Sequence, residues 1–111
     1  MMNYDVLSRK PLVFKSFTGL QVQEFDAVYI KIQESYASYE EKRLHREDRK
    51  RRIGAGHPFK LPLKDRLLML HMYHRLYVTS TLLGFLFSLG QTNVLKNIRM
   101  LEPLVKTVLP L

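Results

Sequence analysis

The stretch TSTLLGFLFSLGQTNVLKNIRMLEP, residues 79–103, decides the fold, because it overlaps the longest charge-free run of the chain, residues 76–95. Twenty uncharged residues rich in Leu and Phe could form one membrane span, or two helices with a sharp corner between them. Seven of the twenty are Thr, Ser, Gln or Asn, whereas a spanning helix is predominantly apolar. These polar residues cluster at 79–81 and 91–93, where two new helices would need caps. The sequence therefore favours the corner.

The corner is expected to consist of two helices and a tight turn. A short helix should run from about Thr79 to Phe87, and residues 88–90 should form the turn, where glycine gives the backbone access to positive φ. A third helix is expected over residues 91–101, because Pro103 biases the residue before it away from helical geometry. Gly84 in the preceding helix should let the next helix approach closely.

The third helix has two chemically different faces. Its inward stripe consists of four apolar residues at helical spacing: Val94, Ile98, Leu101 and Val105. The candidate base-reading residues lie in its first turn, on its flank or on the opposite face: Gln91, Thr92, Asn93, Lys96 and Arg99. Asparagine can pair with adenine, lysine or arginine with guanine, and threonine with a phosphate or a thymine methyl group. A DNA-reading helix-turn-helix and an ordinary helical hairpin with a solvated face both fit this pattern.

Helical patterning extends upstream of the corner. A capping box at Thr18 predicts the start of a long first helix, and residues 54–62 are rich in Gly and Pro and predict a loop. A second helix should begin near Pro62 or Leu63 and be apolar all round, hence buried at the centre. The apolar stripe of the first helix comprises Val22, Phe25, Val28, Tyr29, Ile32, Tyr36 and Tyr39.

The sequence thus predicts an all-α fold, with a long N-terminal helix followed by a small helical bundle that contains a helix-turn-helix. Three parts are expected: an N-terminal helical segment with a basic arm over residues 1–53, a Gly/Pro loop over 54–62, and a helix-turn-helix DNA-binding domain over 63–111.

The charge distribution predicts a polyanionic partner. The formal net charge is +8, and residues 40–75 carry 11 Lys or Arg against five acidic residues. DNA, RNA and an anionic membrane surface are the partners that such a balance favours. Candidate phosphate-binding residues flank or lie in the loop: Arg49, Lys50, Arg51, Arg52 and Lys60. A solvated helix end is the alternative interpretation of this basic run.

Metal and catalytic sites are not predicted. The chain has no Cys, so thiolate sites and disulfides are excluded. His71 and His74 have a spacing that two metal ligands could use, but core histidines satisfied by hydrogen bonds are favoured, and no cofactor is expected. Five acidic residues are interpreted as helix-surface or first-turn charges rather than as a catalytic set: Asp26, Glu34, Glu47, Asp48 and Asp65.

The second half of the chain also resembles a known family. The patterns LKDRLL, LLGFLF and NVLKNIRMLEPLV make residues 50–111 similar to the N-terminal helix-turn-helix region of bacterial insertion-sequence DDE transposases. The resemblance implies a transposon-end-binding module of a recombinase, with a turn at residues 88–90 and a recognition helix over 91–101. Ser88 departs from the glycine that such units often place there. A cytoplasmic, nucleoid-associated protein of a bacterium or archaeon is implied.

The resemblance also sets an expectation about catalysis. DDE chemistry needs three carboxylates that hold two metal ions, and the chain stops where the catalytic domain of such transposases would begin. The chain is therefore expected to be no enzyme, but a truncated module or a separate reading frame that acts in trans or belongs to a degenerate element. Double-stranded DNA is the expected partner, and a homodimer or a catalytic transposase subunit is left open.

Two functions other than DNA reading are carried forward. In the first, the apolar stripe of the long helix dimerises and the corner is merely structural. In the second, the protein binds a membrane surface, which the sequence barely favours.

Overall fold

The computed structural model describes residues 1–46 and 61–108, and for residues 39–46 it describes the backbone alone. Within these ranges the chain is helical and forms no strand, so the predicted all-α class is confirmed. The helices are α1 (Tyr4–Ser8), α2 (Pro11–Thr18), α3 (Val22–Arg46), α4 (Leu63–Leu76), α5 (Ser80–Phe87) and α6 (Gln91–Val108).

Helices α1 and α2 precede the long helix and were not predicted. Asn3 caps α1, since its Oδ1 accepts from the N–H of Val6 at 2.8 Å. Pro11 occupies the first turn of α2, where its fixed φ suits a helix start. Gly19 ends α2 in the left-handed region at φ 79°, a backbone conformation that favours glycine.

The long helix starts later than predicted, and Thr18 does not cap it. Thr18 is buried at the end of α2, and its hydroxyl donates to the carbonyl of Phe14 at 2.9 Å. The left-handed Gly19 then separates the two helices. Instead, the carboxylate of Glu24 accepts from the N–H of Gln21 at 2.8 Å, which satisfies a backbone donor where α3 begins.

The apolar stripe of α3 faces the molecule's own core. Phe25 and Ile32 have no exposed surface, and Val28 is 8% exposed. Tyr29 and Tyr36 are partly buried and pack against the same core, while the side chain of Tyr39 lies outside the described part. A dimer through this stripe would have to open the core, so the predicted dimerisation surface is wrong.

Helix α4 is the central helix, as its all-round apolar pattern predicted. It begins after Pro62, and its apolar residues from Leu67 to Leu70 are at most 1% exposed. Tyr77 follows the helix in a left-handed conformation and is 91% exposed, so the apolar pattern does not bury every residue up to this point. The remaining helices pack around α4, which therefore links the N-terminal helices to the corner.

The N-terminus is tied to α4 by polar contacts. The N–H of Tyr4 donates to Asp65 Oδ1 at 2.8 Å, and the Tyr4 hydroxyl donates to Asp26 Oδ1 at 2.5 Å. Lys64 Nζ lies 3.4 Å from the same carboxylate oxygen and 3.8 Å from the centroid of the Tyr4 ring. Burial first, and then the hydrogen bond to Asp26, raise the pKa of Tyr4 to about 12.

Apolar residues on both sides of the predicted Gly/Pro loop pack into one core cluster. Phe14 and Phe25 come from the first part of the chain, and Met72, Leu83 and Val94 from the second. Most of the loop lies outside the described residues, and the division into residues 1–53, 54–62 and 63–111 stays a prediction.

Helix α6 runs past Pro103, so its predicted end near Leu101 is wrong. Proline removes one backbone donor, but the apolar stripe continues beyond it. Leu104, Val105 and Val108 are partly buried and pack against the core. The packing of this extra face outweighs the local preference of the residue before proline.

Candidate nucleic-acid interface

The corner between α5 and α6 begins at the predicted cap. Thr79 precedes α5 in an extended conformation, and its Oγ1 accepts from the N–H of Leu82 at 3.1 Å. This bond satisfies one of the free donors at the helix start. Within the described ranges no helix has both the length and the apolar character to cross a membrane.

The turn uses Ser88, not glycine, for its left-handed residue. Ser88 has φ 58°, and the next N–H, that of Leu89, donates to the carbonyl of Gly84 at 2.8 Å. This reverse bond from beyond the helix end is the closing bond of a Schellman motif. Gly90 has no positive φ and no atom within 4 Å of where a Cβ would stand, so the glycine of the turn does not supply the bend.

Gly84 is required for close approach, as predicted. A Cβ at this position would lie 2.4 Å from the backbone carbonyl oxygen of Leu89. The close partner is thus the turn rather than the following helix. Since a backbone atom cannot move aside as a flexible side chain can, a side chain at position 84 would displace the turn.

Polar residues at the start of α6 lie in its first turn and do not cap it. Gly90, which precedes the helix, accepts from the N–H of Val94 through its carbonyl at 3.1 Å. The side-chain amide of Gln91 donates to Ser80 Oγ at 3.0 Å, so the starts of α5 and α6 lie side by side. The predicted capping role of residues 91–93 is therefore wrong.

The two faces of α6 are those predicted from helical angle. Val94, Ile98 and Leu101 are buried, while Val105 is partly buried. The candidate base-reading residues are all exposed, namely Gln91, Thr92, Asn93, Lys96 and Arg99. Their side of the helix borders an open depression of about 510 Å³, lined by Thr92, Leu95, Lys96, Arg99 and Met100.

The face of α6 that these residues form is cationic and rich in donors. Lys96 and Arg99 carry the charge, and Thr92 lies one turn before Lys96 on the same side. The acidic residue of α6, Glu102, lies further along the helix, where Lys106 Nζ is 3.4 Å from its Oε1. We call residues 91, 92, 93, 96 and 99 the outward face of α6.

The second predicted set, the phosphate-binding residues of the basic arm and loop, lies outside the described residues. Its members are Arg49, Lys50, Arg51, Arg52 and Lys60. Their role stays a prediction that rests on charge and on sequence position alone. Glu47 and Asp48, interpreted as surface charges, also lie there.

Sequence reasoning missed a buried polar pair behind the outward face. Arg66 and Asn97 are each 3% exposed, and Arg66 Nε donates to Asn97 Oδ1 at 2.5 Å. Asn97 lies between Val94 and Ile98 on the inward stripe, and a polar residue at that angle was the available signal. The partner could not be found this way, because it is on another helix.

The two histidines of α4 lie in different environments. His71 packs edge-on against Phe25 with ring centroids 5.7 Å apart, as a core histidine would. Its buried Nε2 has no hydrogen-bond partner in the described structure, so the expectation of a satisfied histidine is wrong. Burial, with a smaller effect of His74, lowers the pKa of His71 to about 4.

His74 is not the second core histidine that was expected. Its side chain is 54% exposed, and its Nε2 lies 3.5 Å from Glu102 Oε2. Across the described part of the chain, no cluster of three or more His, Asp or Glu could hold a metal ion.

A short helix, a tight turn and a second helix with an exposed polar face form the arrangement of a helix-turn-helix DNA-binding unit. Comparison with known families agrees, since residues 59–111 match the family described as the helix-turn-helix of DDE superfamily endonuclease. This segment, slightly less than half of the 111-residue chain, is similar to that family. The match supports a helix-turn-helix DNA-binding module of the transposase type. Searches of curated proteins and of solved structures each gave no match.

Proposed function

We propose that the protein binds duplex DNA at transposon ends through the outward face of α6, as the DNA-binding module of a transposase. The observation that carries the proposal is the exposure of this face on a segment that matches a transposase helix-turn-helix family. A recognition helix reads bases with residues near its N-terminus, and the outward face begins at the first residue of α6.

Individual roles follow from side-chain chemistry. Asn93 pairs with an adenine edge, and Lys96 and Arg99 donate to guanine or to phosphate. Thr92 reaches a phosphate or a thymine methyl group. Gln91 contributes chiefly by position, because its amide already donates to Ser80 and so holds the start of α6 beside α5.

The net charge of +8 supplies affinity that does not depend on sequence. The basic arm and loop are proposed to contact phosphates on either side of the bases read by α6. Each phosphate contact releases counterions, so binding should weaken steeply as salt is raised. The protein is proposed to work in the cytoplasm, associated with the nucleoid of a bacterium or archaeon.

The module is proposed to have no catalytic site of its own. Two of its acidic residues have a structural role that supports this view, since Asp65 accepts from the backbone N–H of Tyr4 and Asp26 from its hydroxyl. Cutting and joining of DNA would then come from a catalytic transposase subunit that this module brings to the transposon end. A homodimer that reads paired half-sites is the other proposed assembly.

The experiment is selection of duplexes from a random library by the unmodified protein, followed by affinity measurements on the enriched and a shuffled duplex. For Asn93→Ala and Lys96→Ala we expect the preference for the enriched duplex to fall by about fivefold to a hundredfold, as for a lost base contact. Lys106→Ala, which removes the same charge from the exposed far end of α6, is the matched control and should keep the preference. Equal preference in all variants would show that the outward face does not read bases.

A further inference from the structure

Arg66 is a buried cation that connects three helices. It lies in the first turn of α4, and its guanidinium reaches both α3 and α6. Nη1 donates to the hydroxyl of Tyr36 at 3.1 Å, while Nε donates to Asn97 Oδ1 at 2.5 Å. Nη2 lies 3.2 Å from Met100 Sδ. The guanidinium therefore contacts α6 at two positions one turn apart.

Asn97 links Arg66 to the backbone of the outward face. Its Nδ2 donates to the backbone carbonyl of Asn93 at 2.9 Å, one turn earlier in α6. The orientation of the Asn97 amide is unambiguous, because a guanidinium offers donors alone and a carbonyl accepts alone. A chain of hydrogen bonds thus leads from Arg66 through Asn97 to the backbone of Asn93, whose side chain is exposed.

We propose that Arg66, acting through Asn97, is a positioning residue for base reading: it fixes the rotation of α6 about its axis and so the direction in which Asn93 points. The inference deepens the proposed function and rests on it. Arg66 itself is buried and does not touch DNA.

The physical reason is that apolar packing alone specifies rotation poorly. Val94, Ile98 and Leu101 hold α6 on the core through contacts that have no preferred direction. A guanidinium is planar and its donors form a rigid fork, so it accepts partners in few geometries. Rotation of α6 would leave a buried charged donor unsatisfied, which costs more than a shifted apolar contact.

Base reading is sensitive to such rotation. Hydrogen bonds weaken steeply when their angle falls below about 120°, so a small turn of α6 removes a bidentate contact. Contacts with phosphates tolerate more movement, because long cationic side chains act largely through charge. Loss of the positioning contact should therefore lower specificity more than affinity.

The most informative variant is Arg66→Lys, because lysine keeps the buried charge but not the rigid fork that fixes the rotation of α6. Asn97→Asp is its counterpart. The new carboxylate has no donor for the carbonyl of Asn93, but it still accepts from Arg66 and so keeps the contact between α4 and α6.

The probe is the duplex that the unmodified protein enriches from a random library, compared with a shuffled duplex of the same composition. We expect Arg66→Lys to lose about tenfold or more of the preference for the enriched duplex, and Asn97→Asp to keep most of it. Affinity for the shuffled duplex should stay within about twofold, because phosphate contacts set it. Leu68→Ala, fully buried on the same helix but outside the hydrogen-bond chain, is the control that loses stability and keeps the preference.

Amide hydrogen exchange gives a second readout that needs no DNA. Arg66→Lys should exchange faster over residues 93–98 of α6, while α4 keeps most of its protection. If the unmodified protein enriches a sequence and Arg66→Lys keeps the full preference, this inference is overturned and the proposed function stands. If the unmodified protein enriches no sequence, both are overturned.

Discussion

Two sides of the molecule, the N-terminal side (α1–α3) and the corner side (α5 and α6), are held together by different kinds of contact. On the corner side, the decisive bonds join residues close in sequence, as in the bond from Leu89 to Gly84. On the N-terminal side, they join residues far apart, as in the bond from Tyr4 to Asp65. The family match covers residues 59–111 alone, yet α4 of this module is buried partly by helices α1–α3. A helix-turn-helix that is recognised by local sequence signals can thus depend, for the burial of its core, on residues far away in the sequence.

The largest expected effect concerns the N-terminal side. Phe25 has no exposed surface, and its ring stacks on Tyr4 and meets Phe14 edge-on. Phe25→Ala should lower the free energy of unfolding by about 3–5 kcal/mol, measured by urea denaturation. Leu12→Ala, on a side chain that is 86% exposed, is the control and should cost less than about 0.5 kcal/mol. Equal losses would mean that α3 does not complete the core.

The second largest expected effect is a pH dependence of stability that is caused by protonation of His71. Its pKa is about 4 in the folded protein, against 6.5 for an unperturbed histidine, so the unfolded chain binds the proton first as pH falls. Stability should therefore fall between about pH 6.5 and 4, by at most about 3 kcal/mol, and should not depend on this group above that window.

Thermal unfolding of His71→Leu across the same pH range tests this prediction. The variant should lose less stability on acidification than the unmodified protein does. His74→Gln removes the exposed histidine of the same helix and should keep most of the fall. A His71→Leu protein that loses as much stability as the unmodified one would contradict a His71 that is neutral in the folded protein.

The smallest of the three effects concerns the corner side. Gly84→Ala places a Cβ 2.4 Å from the carbonyl oxygen of Leu89, and the overpacking should cost about 1–3 kcal/mol. Gly90→Ala is the matched control in the same corner, because no atom lies within 4 Å of its Cβ position. That variant should change the free energy of unfolding by less than about 1 kcal/mol. If Gly84→Ala leaves the free energy of unfolding unchanged, the turn does not pack on α5.

Much of the corner could be predicted from the sequence, because its determinants are local. Thr79 caps the helix that follows it, and the apolar spacing of α6 separates buried Val94 and Ile98 from exposed Lys96. Predictions from local sequence preference were wrong where tertiary packing outweighed that preference. Pro103 did not end α6, because the stripe beyond it packs on the core, and Ser88 took the left-handed position in place of Gly90.

The N-terminal helices and the buried polar pair could not be predicted in this way, because they depend on contacts between residues far apart in the sequence. Thr18 fits a capping box by spacing, but its hydroxyl donates to the carbonyl of Phe14 at the end of α2. The two short helices before α3 were therefore not predicted. The same holds for the candidate site. Helical angle located its outward residues, whereas the pairing of Arg66 with Asn97 depends on how α4 and α6 cross.

The measurement that tests the central claim most directly is an NMR titration of the labelled protein with the duplex that it enriches. The largest shifts in amide and side-chain signals should fall on residues 91–99 of α6, with those of Asn93 among the largest. Signals of the exposed side of α3 before residue 39 should stay nearly unchanged. Shifts confined to other helices, with the outward face of α6 unaffected, would contradict the account.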